Sequence, residues 1–353
     1  MQPKTLTGLL VVTAAAVAVA AASSWTQPGS ATTDKRGEAL FPGLAEQANQ
    51  LTTFKFDAGD WQTEIRRDGE RYLDASGFPV KLDPIRSAIA GLSTLTYEEA
   101  KTSDPERYAD LELADPSPDT GAGRLISLRA NDQVLAELVV GERDLTVGGM
   151  SGGIFARQPG QQQTWLLRGS VPLPADRSDL FETQLLDWNS DDVAGLRVSG
   201  ANEALQLNSA KAGEPLQATN PAPNAKIDAK KVLALGAVVN NLRFDDVRKA
   251  GADRSVEGSL QYESRAGVQV TLERLANVTA GANADAATEA TDDTAQRWVR
   301  LRVNTTEAAS DEGREQARAL AAKADGFEFQ LSESTWETVA QTPADLQAEP
   351  NNG

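Results

Sequence analysis

The sequence predicts an α+β fold: repeated strand–strand–helix modules with mostly antiparallel sheets, preceded by an N-terminal membrane-anchor or signal helix. Three observations predict it. Short runs alternate apolar and polar residues between turn signals, as in "WQTEIRRDGERYLDASGFPV". A helix-period run, Leu82, Ile85, Ile89 and Leu92, follows the first set of such strands. The same order then recurs from Val193 to Phe244, where Asp228 precedes Val232, Leu235, Val239 and Leu242 as Asp83 precedes the earlier run. A recurrence of pattern more than of residues is what a divergent duplication of one strand–strand–helix unit leaves behind.

The first 25 residues stand apart. "MQPKTLTGLLVVTAAAVAVAAASSW" carries Lys4 and then no charge until Asp34. The apolar run Leu6–Ala22 suits a secretory signal, with Ala20-Ala21-Ala22 as a small-residue cleavage site. It also approaches the roughly 17-residue lower limit of a spanning helix, with Trp25 placed as an interfacial anchor. The charge at Lys4 keeps that end cytoplasmic, so the body is expected to be extracytoplasmic (periplasmic), and an uncleaved inner-membrane anchor is favoured over a cleaved signal. Residues 26–37, small and polar, read as a linker.

A first α+β module with a strand-rich extension is expected over 38–190. "EALFPGLAEQANQLTTFKF" gives a short amphipathic helix and then a strand at Leu51–Phe56, and Asp68-Gly69 makes a hairpin turn. Asp83 is placed to cap the next helix and Pro84 to occupy its first position. "KTSDPERYADLELADP" reads as a short helix capped by Ser103 or Asp104 and opened by Pro105, with Tyr108 and Leu111 turned inward. Strands follow in "GRLISLRA", "QVLAELVVGE", "GIFARQ" and "TWLLRG". The second module is expected over 191–345, with further strands in "SVEGSLQYES", "GVQVTLERL" and "QRWVRLRVN", then a helix over 307–324 and the strand "FEFQLS". Residues 279–294, acidic, Ala-rich and aperiodic, read as a mobile loop, and 346–353 as a disordered tail.

Composition narrows the chemistry. The chain has 353 residues, 40% of them hydrophobic, and a formal net charge of −17. Such acidity argues against a nucleic-acid partner, which needs clustered Lys and Arg. The absence of His removes the commonest general base and metal ligand. The absence of Cys removes disulfides, thiolate catalysis, thiolate zinc sites and a lipid-modified cysteine. Carboxylate chemistry, Ser or Thr with a Lys base, and hard-cation binding through oxygen survive.

Each surviving pattern has a local explanation. In "TVGGMSGGIFARQPGQQQTWLLRG" the pairs Gly148-Gly149 and Gly152-Gly153 lack the Lys-Ser/Thr and the helix of a phosphate loop. Strand-like flanks make them a bend between strands, so no nucleotide is expected. The carboxylate pairs Asp191-Asp192, Asp245-Asp246 and Asp292-Asp293, and the set Asp57, Asp60 and Glu64, read as solvated surface. None has the alternation of a calcium loop, so no metal is expected. Ser209 with Lys211, or Ser103 with Lys101, lacks the setting of a nucleophile. The tryptophans Trp61, Trp165, Trp188, Trp298 and Trp336 fall mostly on strands, where packing is the default over a sugar platform. No catalytic, cofactor-binding or metal residue is assigned.

Several segments, in order, carry a resemblance: "LFPGLAEQANQL", "GFPV", "AKTSDPERYADLELADP", "VVGER" with its Gly-rich bend, "FARQPGQQQTWLL" and "LLDWNSDDVAGLRV". Together they resemble the bacterial family catalogued as domain of unknown function 4340. The resemblance runs from about Leu40 into the second module, and loosely to "FEFQLSESTWETVAQTPADL". It implies a single-anchor envelope protein, often encoded beside ABC-transporter components of the gliding-motility type, and no established catalytic residues. "ADLELADP" departs from the Leu-Gly that members commonly carry before the acidic-Pro turn. The expectation is therefore a non-enzymatic extracytoplasmic accessory or interaction protein, tethered to the inner membrane and acting with an ABC-type transport complex. The alternatives are an envelope glycan- or polymer-binding module and a carboxylate-dependent hydrolase.

Overall fold

A computed structural model of the chain describes residues 35–119, 123–147, 152–219, 226–251, 254–276 and 297–348. The anchor expected at 1–25, most of the linker 26–37, the acidic loop 279–294 and the tail from 349 lie outside the described residues. Among the described residues no helix is long and apolar enough to cross a membrane. Leu346 is buried and Gln347 bridges Ile227, so the ordered chain continues past the point where the tail was expected to begin.

The described residues divide into two compact units, one drawn from 35–67 with 82–173 and the other from 68–81 with 174–348. In chain order the first part of the sequence supplies a single turn α1 (Leu44–Gln47), β1 (Thr53–Asp57), β2 (Gln62–Asp68) and β3 (Arg71–Leu73). These are followed by α2 (Leu82–Thr94), β4 (Thr96–Ala100), β5 (Arg124–Ala130), β6 (Gln133–Asp144), β7 (Gly153–Arg157) and β8 (Thr164–Arg168). They form an eight-stranded sheet in the order β3-β2-β1-β5-β6-β7-β8-β4. Its strands bury every second residue where one face is covered: Phe54 and Phe56 on β1, Thr63 and Ile65 on β2. Helix α2 begins at Leu82, so Asp83 lies in its first turn instead of capping it, and Ile85, Ala88 and Leu92 form its buried stripe.

The second part supplies β9 (Gln184–Leu186), β10 (Val193–Ser199), β11 (Ala204–Asn208), β12 (Gln217–Ala218), α3 (Ala229–Ala237), β13 (Leu242–Arg243) and β14 (Asp246–Lys249). It continues with β15 (Val256–Ser264), β16 (Val268–Leu275), β17 (Trp298–Thr305), α4 (Asp311–Ala324), β18 (Phe327–Gln330) and α5 (Glu333–Val339). The second eight-stranded sheet has the order β12-β11-β10-β15-β16-β17-β18-β14. Strands β9 and β13 pair separately.

Numbered from the first strand of each sheet, both orders read 3-2-1-5-6-7-8-4, with a helix after the third strand. The recurrence of strand and helix patterns in the sequence is therefore a recurrence of topology. Asp228 caps α3 through the backbone amides of Lys230 and Lys231, as its position predicted. Tyr262 Oη donates to the Leu235 carbonyl at 2.9 Å, fixing α3 to β15. The sheets differ between strands seven and eight. The first has the tight turn at Pro159-Gly160; the second inserts α4, which starts at Asp311 because Ser310 accepts from the Gly313 amide.

The glycine-rich stretch falls between strands six and seven of the first sheet. Strands β6 and β7 are antiparallel, with Asp144 opposite Gly153, and Gly152 has φ +70°. The strands on both flanks are those of a hairpin; Gly148 and Gly149 themselves lie outside the described residues.

Candidate functional site

Two of the segments that resemble the family, "AKTSDPERYADLELADP" and "FARQPGQQQTWLL", meet in the first unit, and what they build is a joint. Arg157 of "FARQ" is buried on β7. Its Nε and Nη2 each donate to the Leu113 carbonyl at 3.3 Å, and Nη2 meets Asp115 at 2.5 Å. Its guanidinium lies 4.8 Å from the centre of the Tyr108 ring, and Tyr108 Oη donates to the Gln162 carbonyl at 2.7 Å. Thr164 closes the joint, its amide and Oγ1 both donating to the Thr102 carbonyl. One planar fork thus ties "SDPERYADLELADP" to "FARQPGQQQTWLL". Lysine has no such fork, so Arg157→Lys should cost about 1.5–3 kcal/mol, read by denaturant unfolding.

The tied loop lies directly on the sheet. A Cβ on Gly141 would come within 2.1 Å of the Leu111 carbonyl oxygen and 2.9 Å of that of Glu112. Gly123 and Gly59 admit Ala114 and Ser117 in the same way. Backbone cannot yield as a side-chain tip does. Gly141→Ala should therefore cost about 1–3 kcal/mol by the same measurement and shift Glu112.

Between the loop and residues 170–173 lies a cavity of about 580 Å³. Its floor is Val140 on β6 and Ile154 on β7, both buried. Its charged lining is Glu112, Arg124, Glu142 and Arg143. Two local features aim these groups. Residues 141 and 142 make a β-bulge: Val140 opposes Ala156 and Arg143 opposes Ile154, leaving two residues of β6 against one of β7. Bulges re-aim side chains and recur beside functional sites. Glu112 has φ +53° and ψ +37°, a left-handed conformation that costs a non-glycine residue roughly 1–2 kcal/mol. Glycine would adopt this backbone without that cost. Among the described residues none of the four charged side chains enters an ion pair or a side-chain hydrogen bond.

The residues weighed in the sequence go elsewhere. Asp246 pairs with Arg177, which also pairs with Asp74; burial pushes the Asp246 carboxyl up against the pull of Arg177. Asp57 accepts from the Gly59 amide and Glu64 pairs with Arg66. Asp191 and Asp192 sit in a short 3-10 turn, and Asp292-Asp293 lies outside the described residues. Ser209 Oγ donates to the carbonyls of Lys211 and Glu214 and accepts from Arg265. Trp165 and Trp298 are buried; Trp61, Trp188 and Trp336 are half-buried. Sequence reasoning missed the cavity. Its available signal was "VVGER", where an isolated Gly inside a strand pattern marks a bulge.

These features define a class: an antiparallel α+β protein of two eight-stranded sheets that share one strand order, with a charged cavity at a bulge of the first sheet. A family model described as "Domain of unknown function (DUF4340)" matches residues 71–261. That is more than half of the chain, which belongs to this family. No curated protein matches the chain, and no solved structure does.

Proposed function

We propose that the protein is a non-enzymatic, extracytoplasmic (periplasmic) accessory protein. Its N-terminal apolar segment holds it at the inner membrane, and it works through protein–protein contacts with an ABC-type transport complex of the gliding-motility kind. One observation carries the reading most. Segments that mark the family in this chain, those around 102–116, Gly141 and 155–164, are spent on a scaffold, the Arg157 joint and its glycine floor, as suits a protein whose surface is its product. The apolar run before Trp25 and the missing His and Cys support it from the sequence. Affinity purification from detergent-solubilised membranes tests it. Recovery of a permease and an ATPase with the chain is expected; repeated recovery of the chain alone would overturn the proposal. N-terminal sequencing of the mature protein separates an anchored chain, which begins near Met1, from one cleaved after Ala22.

A further inference from the structure

We infer that the cavity beside the β6 bulge is a binding site for a short peptide recognised by its two charged ends. The volume of about 580 Å³ falls in the range of small-ligand sites. Its charge is balanced: Arg124 and Arg143 against Glu112 and Glu142. A purely anionic ligand would meet two carboxylates, and a purely cationic one two guanidiniums. A ligand bearing both an acid and an amine satisfies both pairs, with Arg124 and Arg143 taking the carboxylate and Glu112 and Glu142 the ammonium group. The buried Val140, opposite Arg124 in register, and Ile154, opposite Arg143, supply an apolar floor, which suits a ligand with an apolar side chain.

The backbone supports the same assignment. The left-handed conformation holds Glu112 at the cavity at a conformational cost that glycine would avoid. The bulge brings both Glu142 and Arg143 to one cavity, although adjacent residues of a regular strand point to opposite faces. This site does not depend on the transport-complex proposal, and its test reads a different quantity.

The experiment is calorimetric titration of the full chain, in detergent, with the tripeptide Ala-Leu-Ala in three forms: free, N-acetylated and C-amidated. Saturable one-to-one binding of the free peptide is expected, weakened about tenfold or more by blocking either end. Glu112→Gly removes one carboxylate while relieving the backbone, so the fold should be at least as stable. Its affinity for the free peptide should fall, and acetylation should matter less. Arg143→Gln should likewise blunt the effect of amidation. Absence of saturable binding, equal binding of the three forms, or indifference to both substitutions would overturn the inference.

Discussion

Glu328→Gln is expected to destabilise the fold by about 3–5 kcal/mol, the largest single electrostatic effect expected among the described residues. Glu328 on β18 is 0% exposed. Its Oε2 meets Arg248 at 2.9 Å and Arg254 at 3.3 Å, and its Oε1 meets Arg300 at 2.7 Å. Strand register creates the cluster: Arg248 on β14 is directly opposite Glu328, and Arg300 reaches it from β17 on the other side. Arg248 is pressed against the Trp298 ring, 3.6 Å from its centre. Glutamine keeps the shape and removes the carboxylate that these guanidiniums share, leaving three neighbouring, half-buried like charges uncompensated. Burial alone would raise the Glu328 pKa, but the hydrogen bonds from Arg300 and Arg248 and the charges of Arg248 and Arg254 outweigh it and hold it below the ordinary glutamate value.

That direction fixes the pH dependence. The unfolded chain binds the proton more readily, so the stabilisation is fully present above the ordinary pKa of about 4.3 and is lost as pH falls through the lower folded value. Asp246 acts in the opposite sense, because its folded pKa is raised, chiefly by burial. The wild-type and Glu328→Gln stability curves should therefore differ by a constant amount from pH 7 down to about 5, then converge in acid. Urea unfolding at several pH values measures this, and parallel curves into strong acid would refute it. In a double-mutant cycle, Arg254→Gln should cost less in the Glu328→Gln background than in the wild type.

Phe78→Ala should cost a comparable amount, about 3–5 kcal/mol, through lost packing. Phe78 is 2% exposed and stands edge-on to four rings, with centroid distances of 5.6 Å to Phe181, 5.6 Å to Phe244, 5.0 Å to Phe327 and 5.9 Å to Phe329. Such edge contacts add about 0.5–1.5 kcal/mol beyond the buried area. Polar contacts hold the ring's own segment in shape. Asp74 accepts from the amides of Ser76 and Phe78 and pairs with Arg177. Truncating the ring should therefore speed hydrogen exchange over 70–81 more than elsewhere, beside the fall in global stability. Unchanged exchange in that segment would show that the polar contacts suffice to hold it.

The repeated pattern, the hairpins and the Asp228 cap were legible in the sequence because they rest on local chemistry, whereas the helices expected from Asp83 and from 307 begin at Leu82 and Asp311. A cap needs a side chain two or three residues from its amides, as Asp228 has, and a strand shows its covered face by alternation, as Phe54 and Phe56 do. The cavity was illegible for the opposite reason. Glu112, Arg124 and Glu142-Arg143 come from a loop and two strands, and only pairing and the close approach at Gly141 bring them to one wall.

By itself, then, the sequence determined the α+β class, the repeated order of elements, the absence of His and Cys chemistry and the strand-flanked nature of the glycine bend. Each is a property of composition or of residues near one another in the chain. Tertiary structure alone decided that residues 68–81 belong with the second unit, that one buried glutamate gathers three arginines, and that the charged cavity exists at all. Those outcomes depend on partners such as Asp74 and Arg177, 103 residues apart. Contacts at that separation leave no local pattern, because strand pairing and burial, and not sequence spacing, bring the residues together.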